Sequence, residues 1–141
     1  MGATNLVSVS IEILAPAEKV YDALTKPEHV KKYLFGTNIK TDWKVGSTIE
    51  WTGVWEGKAY KDKGTVLEVI PNKRLVYTYY SGMSKMPDIP ENYKTITCKI
   101  NQTGNKTKLT IMQDNNTKEQ QEHSLQMWES VGKTIKQICE G

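Results

Sequence analysis

The residues of this chain that could do chemistry form no recognisable catalytic set. There is no Gly-x-Ser-x-Gly, no dinucleotide glycine fingerprint and no Cys-x-x-Cys. Gly132-Lys133-Thr134 ends like a phosphate loop, but Met127 stands where the first glycine belongs and the segment has helical periodicity. The two histidines, His29 and His123, and the two cysteines, Cys98 and Cys139, lack metal-ligand spacing. No metal and no cofactor is expected. Glu50, Glu56, Asp62 and Glu68 are carboxylates on strand patterns. A pair of them inside a chamber could do acid–base work, but alternation predicts that each is solvated, and no catalytic residue is named.

A different chemistry is more legible. In Arg74 to Tyr80 the side chains of Leu75, Tyr77 and Tyr79 share one face, and in the last strand so do Thr107, Leu109, Ile111 and Gln113. Set together they predict an apolar chamber with a few hydrogen-bonding groups, the usual build of a small-molecule site. A filled core with satisfied hydroxyls accounts for the same residues equally well.

The elements that must position these residues follow from periodicity. Leu6 to Ile13 alternates, with Val7, Val9, Ile11 and Ile13 on one face. Two short helices follow, from about Pro16 to Leu24 and from about Pro27 to Leu34, each opened by a proline at its expected first position. Six strand patterns come next: Asn38–Trp43, Ser47–Thr52, Tyr60–Ile70, Arg74–Tyr80, Lys94–Asn101 and a last one through Gln113. Thr117, with Gln120 three residues on, caps a long helix whose stripe is Leu125, Trp128, Val131, Ile135 and Ile138. The order is β-α-α-β6-α, an α+β chain in which an antiparallel sheet curls over the closing helix. Trp128, central on that stripe, is expected in the core.

Two segments stand out between the elements. Trp55 lies at a predicted hairpin tip, either folded back on the sheet or exposed as a contact. The loop from Gly82 to Asn92 carries Met83, Met86 and Ile89, which predict either a lid over the chamber or a loop pinned to the core.

The bulk numbers bound the function. The 141 residues are expected to form one domain, 1–141. The net charge is only +3 and no basic stripe stands out, so nucleic acid is not expected. No apolar run reaches the length of a membrane span. With no secretory signal ahead of the first strand and two well-separated cysteines, the expected location is cytoplasmic.

Four segments carry a family resemblance. They are Ala15–Leu34 (APAEKVYDALTKPEHVKKYL), Asp42–Ser47 (DWKVGS), Gly64–Tyr77 (GTVLEVIPNKRLVY), and Met127-Trp128 followed by Val131 and Ile135. With these the chain resembles the helix-grip domains of the START-like (SRPBCC) superfamily. Within it, the chain is similar to single-domain relatives of the C-terminal domain of the Hsp90 ATPase activator. The resemblance implies a curved antiparallel sheet gripping the long helix, with a cavity that commonly holds a hydrophobic ligand. The candidate lining is Leu75, Tyr77, Tyr79, Leu109, Ile111, Gln113, Trp128 and Val131, with Tyr33 and Leu34 near the entrance. The tyrosines and Gln113 would orient a polar end of the ligand. Three functions stay open: binding a small hydrophobic molecule, binding an Hsp90 partner through the surface, and catalysis in the same cavity. A monomer or weak dimer is expected.

Overall fold

The structure is a computed structural model that describes residues 5–82, 85–115 and 117–141. Its element order is β1 (Val7–Ile13), α1 (Ala17–Thr25), α2 (Pro27–Tyr33), β2 (Asn38–Lys40), β3 (Thr48–Trp55), β4 (Lys58–Ile70), β5 (Arg74–Tyr79), β6 (Lys94–Thr103), β7 (Lys106–Gln113) and α3 (Lys118–Glu140). The strands form one sheet in the order β1-β7-β6-β5-β4-β3-β2, antiparallel at every pairing. The α+β helix-grip architecture expected above is therefore the one observed.

The two prolines do different work. Pro27 is the first residue of α2, where a missing N–H costs nothing. Pro16 stands one position earlier than expected. It is extended (φ −72°, ψ 158°) and precedes α1, and its carbonyl accepts from the N–H groups of Lys19 and Val20. At the other end of the chain, the Thr117 hydroxyl accepts from the Gln120 N–H at 3.1 Å, which caps α3 as the sequence predicts.

The buried face of α3 is shifted from the expected stripe. Leu125 is exposed, and Ser124, Trp128, Val131, Gly132, Ile135 and Cys139 are buried instead. The cause is the closeness of the helix to β1. A Cβ on Gly132 would fall 1.7 Å from Ile11 Cδ1, so the terminal methyl of Ile11 occupies the space a side chain at 132 would take. Small residues thus set the packing distance, and the larger Leu125 is turned to solvent.

Strand β4 bends at Gly64. A Cβ there would lie 1.8 Å from the carbonyl oxygen of Thr78 on β5. Two residues on, the pairing register slips between Val66 and Glu68, which marks a bulge. Bulges add twist and re-aim side chains. Before the slip, Tyr60, Asp62, Gly64 and Val66 share the face turned toward α3; Lys61, Lys63 and Leu67 face outward. One half of the interior is filled by Ile13, Val20, Val30, Leu75, Leu109, Ile111 and Ile135, all essentially inaccessible to solvent.

Among the described residues no helix is long and apolar enough to cross a membrane.

Candidate functional site

The unfilled half of the interior is a cavity of about 740 Å³, within the range of small-molecule pockets. Its floor comes from the sheet: Trp51 on β3, Asp62 on β4, Tyr77 and Tyr79 on β5, Ile96 on β6 and Gln113 on β7. Its roof is the first half of α3, with Ser124, Met127, Trp128 and Val131. The mouth is rimmed by Phe35, Val54 and Trp55, which are 71%, 70% and 62% exposed. Trp55 is therefore an exposed residue at the entrance and does not fold back on the sheet.

The aromatic floor is a packed set. The Trp51 ring lies 5.2 Å from that of Tyr79, edge to face, and 5.8 Å from that of Tyr77. Trp43 backs Tyr77 from the far side at 5.7 Å, and its indole N–H donates to the Thr25 carbonyl at 3.1 Å. Such contacts hold the rings in fixed positions.

The polar groups divide into committed and uncommitted. The Trp128 indole N–H donates to Gln113 Oε1 at 2.7 Å. Gln113 Nε2 donates to Asn115 Oδ1 at 3.0 Å, and Asn115 Nδ2 donates to the Asn5 carbonyl at 3.0 Å. This buried chain ties the helix to the end of β7 and beyond it to Asn5. Gln113 lines the cavity and spends its carbonyl on Trp128 and one amide hydrogen on Asn115. Tyr79 donates to Asp62 Oδ2 at 2.7 Å. Tyr60 and Thr37 hydroxyls bond one another at 2.5 Å. The Tyr77 ring borders the cavity, and among the described residues the buried side-chain polar atom without a partner is His29 Nδ1, away from this site.

Residues 14–140 match the family model described as Activator of Hsp90 ATPase homolog 1-like protein. The chain belongs to that family. A solution structure of ChR145 from Cytophaga hutchinsonii is 40% identical, with a TM-score of 0.86 over 99% of this chain and 97% of the other. The Aha1 dimer from Colwellia psychrerythraea, also solved in solution, is 24% identical with a TM-score of 0.73 over 96% of each chain. CalU16 from Micromonospora echinospora is 16% identical, with a TM-score of 0.74 over 96% of this chain and 76% of the other. These two share the fold. No curated protein matches the chain.

Within this family member the expected lining separates in two. Leu34, Tyr77, Tyr79, Gln113, Trp128 and Val131 border the cavity. Tyr33, Leu75, Leu109 and Ile111 do not; they lie in the filled half of the core. Tyr33 also donates to the Leu24 carbonyl at 2.7 Å, which locks α2 onto α1. Alternation placed these residues on the correct face but at the wrong depth.

The structure also places two of the three residues expected in a lid. Met86 and Ile89 are exposed and do not border the cavity; Met83 lies outside the described residues. The loop is fastened to the outer face of the sheet. Tyr80 donates to the Met86 carbonyl at 2.5 Å and stacks on Tyr93 at 5.1 Å. Tyr93 donates to Asp88, which also pairs with Lys63. Tyr80 and Lys63 neighbour the cavity residues Tyr79 and Asp62 in sequence, and so point the opposite way.

Asp62 is the residue that alternation misjudged. Glu50 and Glu68 do pair at the surface, with Lys61 at 3.2 Å and Arg74 at 2.6 Å. Asp62 instead is only 8% exposed. Counting back from buried Val66 in steps of two would have placed it inside.

Burial shapes the acid–base behaviour of the site. It pushes the Cys98 thiol up to about 12, and that of Cys139 to about 11. It holds the hydroxyls of Tyr33 and Tyr77 well above the ordinary tyrosine value. The same is true of Tyr79, where the Asp62 carboxylate adds to the effect. Below about pH 10 these tyrosines are protonated whether the chain is folded or not. Above it the unfolded chain loses protons that the folded chain retains, so stability falls as pH rises. The melting temperature should therefore drop above pH ~10. In a tyrosinate absorbance titration, part of the signal should appear only with unfolding. A smooth titration of all seven tyrosines near pH 10, with the fold intact, would show these hydroxyls to be accessible.

Proposed function

We propose that this protein encloses a small apolar molecule in the cavity between the sheet and α3. The observation that carries the reading is a cavity of about 740 Å³ whose floor holds the rings of Trp51, Tyr77 and Tyr79. The reading includes a single domain over residues 1–141 acting in the cytosol, where two buried free thiols are at home.

The test uses Nile red, a neutral dye that brightens in apolar surroundings. Saturable uptake is expected, with energy transfer from tryptophan. Ser124 is buried on the roof, so Ser124→Phe fills the space from above. That variant should lower dye affinity by about tenfold or more while keeping a cooperative melt. Undiminished uptake in the variant would place the dye elsewhere.

A second reading is association with an Hsp90 chaperone through the surface. It is favoured by the family's description and by the exposed trio Phe35, Val54 and Trp55. Trp55→Ala should then weaken association without altering the fold. Absence of association at the highest soluble concentration rejects it.

A further inference from the structure

Asp62 is out of place in an apolar chamber. The lysines on either side of it point to the outer face, where Lys61 pairs with Glu50 and Lys63 with Asp88. Among the described residues no ion pair reaches Asp62. Its two oxygens accept from neutral donors only, the Tyr79 hydroxyl at 2.7 Å and the Gly82 N–H at 2.9 Å. Gly82 can approach because it has no side chain: a Cβ there would fall 2.2 Å from the Lys61 carbonyl oxygen. Each carboxylate oxygen keeps a further lone pair. The other basic group of the sheet wall, Lys94, donates to Gln120 Oε1 at 2.9 Å on the α3 side.

Buried carboxylates are ordinarily paired with a cation. Beside this one stand the rings of Trp51, Tyr77 and Tyr79, whose faces attract cations in the same way. We infer that Asp62 and this aromatic floor recognise an organic cation, an ammonium group carried on the apolar molecule that fills the cavity. The inference rests on the cavity-binding reading and names its ligand class. The ammonium would donate to the free lone pairs of Asp62, and its carbon chain would lie against Ile96, Trp128 and Val131.

The experiment is calorimetric titration of the protein at neutral pH with n-octylamine, n-octanol and n-octanoate, which share one chain and differ in charge. Octylamine is expected to bind about tenfold or more tighter than octanol, as a charge-assisted hydrogen bond requires, and octanoate weakest. Asp62→Asn should erase the preference for the amine, read as the ratio of octylamine to octanol affinity in the same variant. Octanol binding as tightly as octylamine to the native protein overturns the cation assignment and leaves the container standing. A preference that survives Asp62→Asn removes Asp62 from the site. Failure of all three probes to bind overturns the container as well.

Discussion

Replacing Trp128 by alanine is expected to destabilise the protein by ~3–5 kcal/mol, the cost of truncating a large buried aromatic. The side chain is only 4% exposed and lies between the filled core and the cavity. Its loss enlarges an existing void, so the surroundings cannot close over it. It also leaves Gln113 Oε1 without its donor at 2.7 Å, and an unpaired buried acceptor costs about 1–3 kcal/mol by itself. Trp128→Phe separates the two contributions: it retains most of the packing and loses the hydrogen bond. Urea denaturation followed by circular dichroism measures both. The exposed Trp55 supplies the control, since Trp55→Ala should shift stability by no more than about 0.5 kcal/mol. A cost below about 1 kcal/mol for Trp128→Ala would contradict the placement of the helix face.

The second large effect is expected at Gly64. A methyl group there would meet the Thr78 carbonyl oxygen at 1.8 Å and the carbonyl carbon at 2.7 Å. Both are backbone atoms inside the β4–β5 pairing, so nothing can swing aside. Gly64→Ala must open the sheet next to the bulge, at an expected cost of about 3 kcal/mol or more, the upper end for overpacking. Because Gly64 shares its face with Asp62, opening the strand also disturbs the cavity floor. Gly132→Ala is the informative contrast. Its clash at 1.7 Å is with the terminal methyl of Ile11, which can rotate, and alanine is favoured in helices by roughly 1 kcal/mol. A near-neutral Gly64→Ala would show that the close approach of the two strands is not a feature of the folded state.

Much of the fold was legible because local chemistry and global arrangement agree. The prolines at the starts of the two helices, the alternation of Val7, Val9, Ile11 and Ile13, and the Thr117–Gln120 cap each act over a few residues. The face of a strand was legible for the same reason. Depth was not. Leu75 and Tyr77 lie two residues apart on one face of β5, yet Leu75 is sealed in the core and Tyr77 borders the cavity. How deep a residue lies along its strand depends on what the helices cover, which no two-residue period encodes.

Asp62 and the helix stripe failed for a different reason. A carboxylate reads as solvent-facing unless its donors are known. The donors of Asp62 come from Tyr79 and Gly82, on a separate strand and the loop beyond it. On α3, hydrophobicity ranks Leu125 above Ser124 and Gly132, but Gly132 meets Ile11 on β1 and Ser124 borders the cavity, so the face turned to the sheet carries the small residues. The loop with Met86 and Ile89 looked like a lid because methionine suits mobile apolar contacts. Its position is set instead by the outward-facing Tyr80, Tyr93 and Lys63.

The claim on which the functional account rests is that the cavity holds a small molecule. Native mass spectrometry of the protein purified from its own host, with solvent extraction of the same sample, tests it most directly. The account predicts a bound mass of small-molecule size that is released on unfolding, and the extract then identifies it. A bare chain mass from freshly isolated protein, with nothing recovered in the extract, would contradict it.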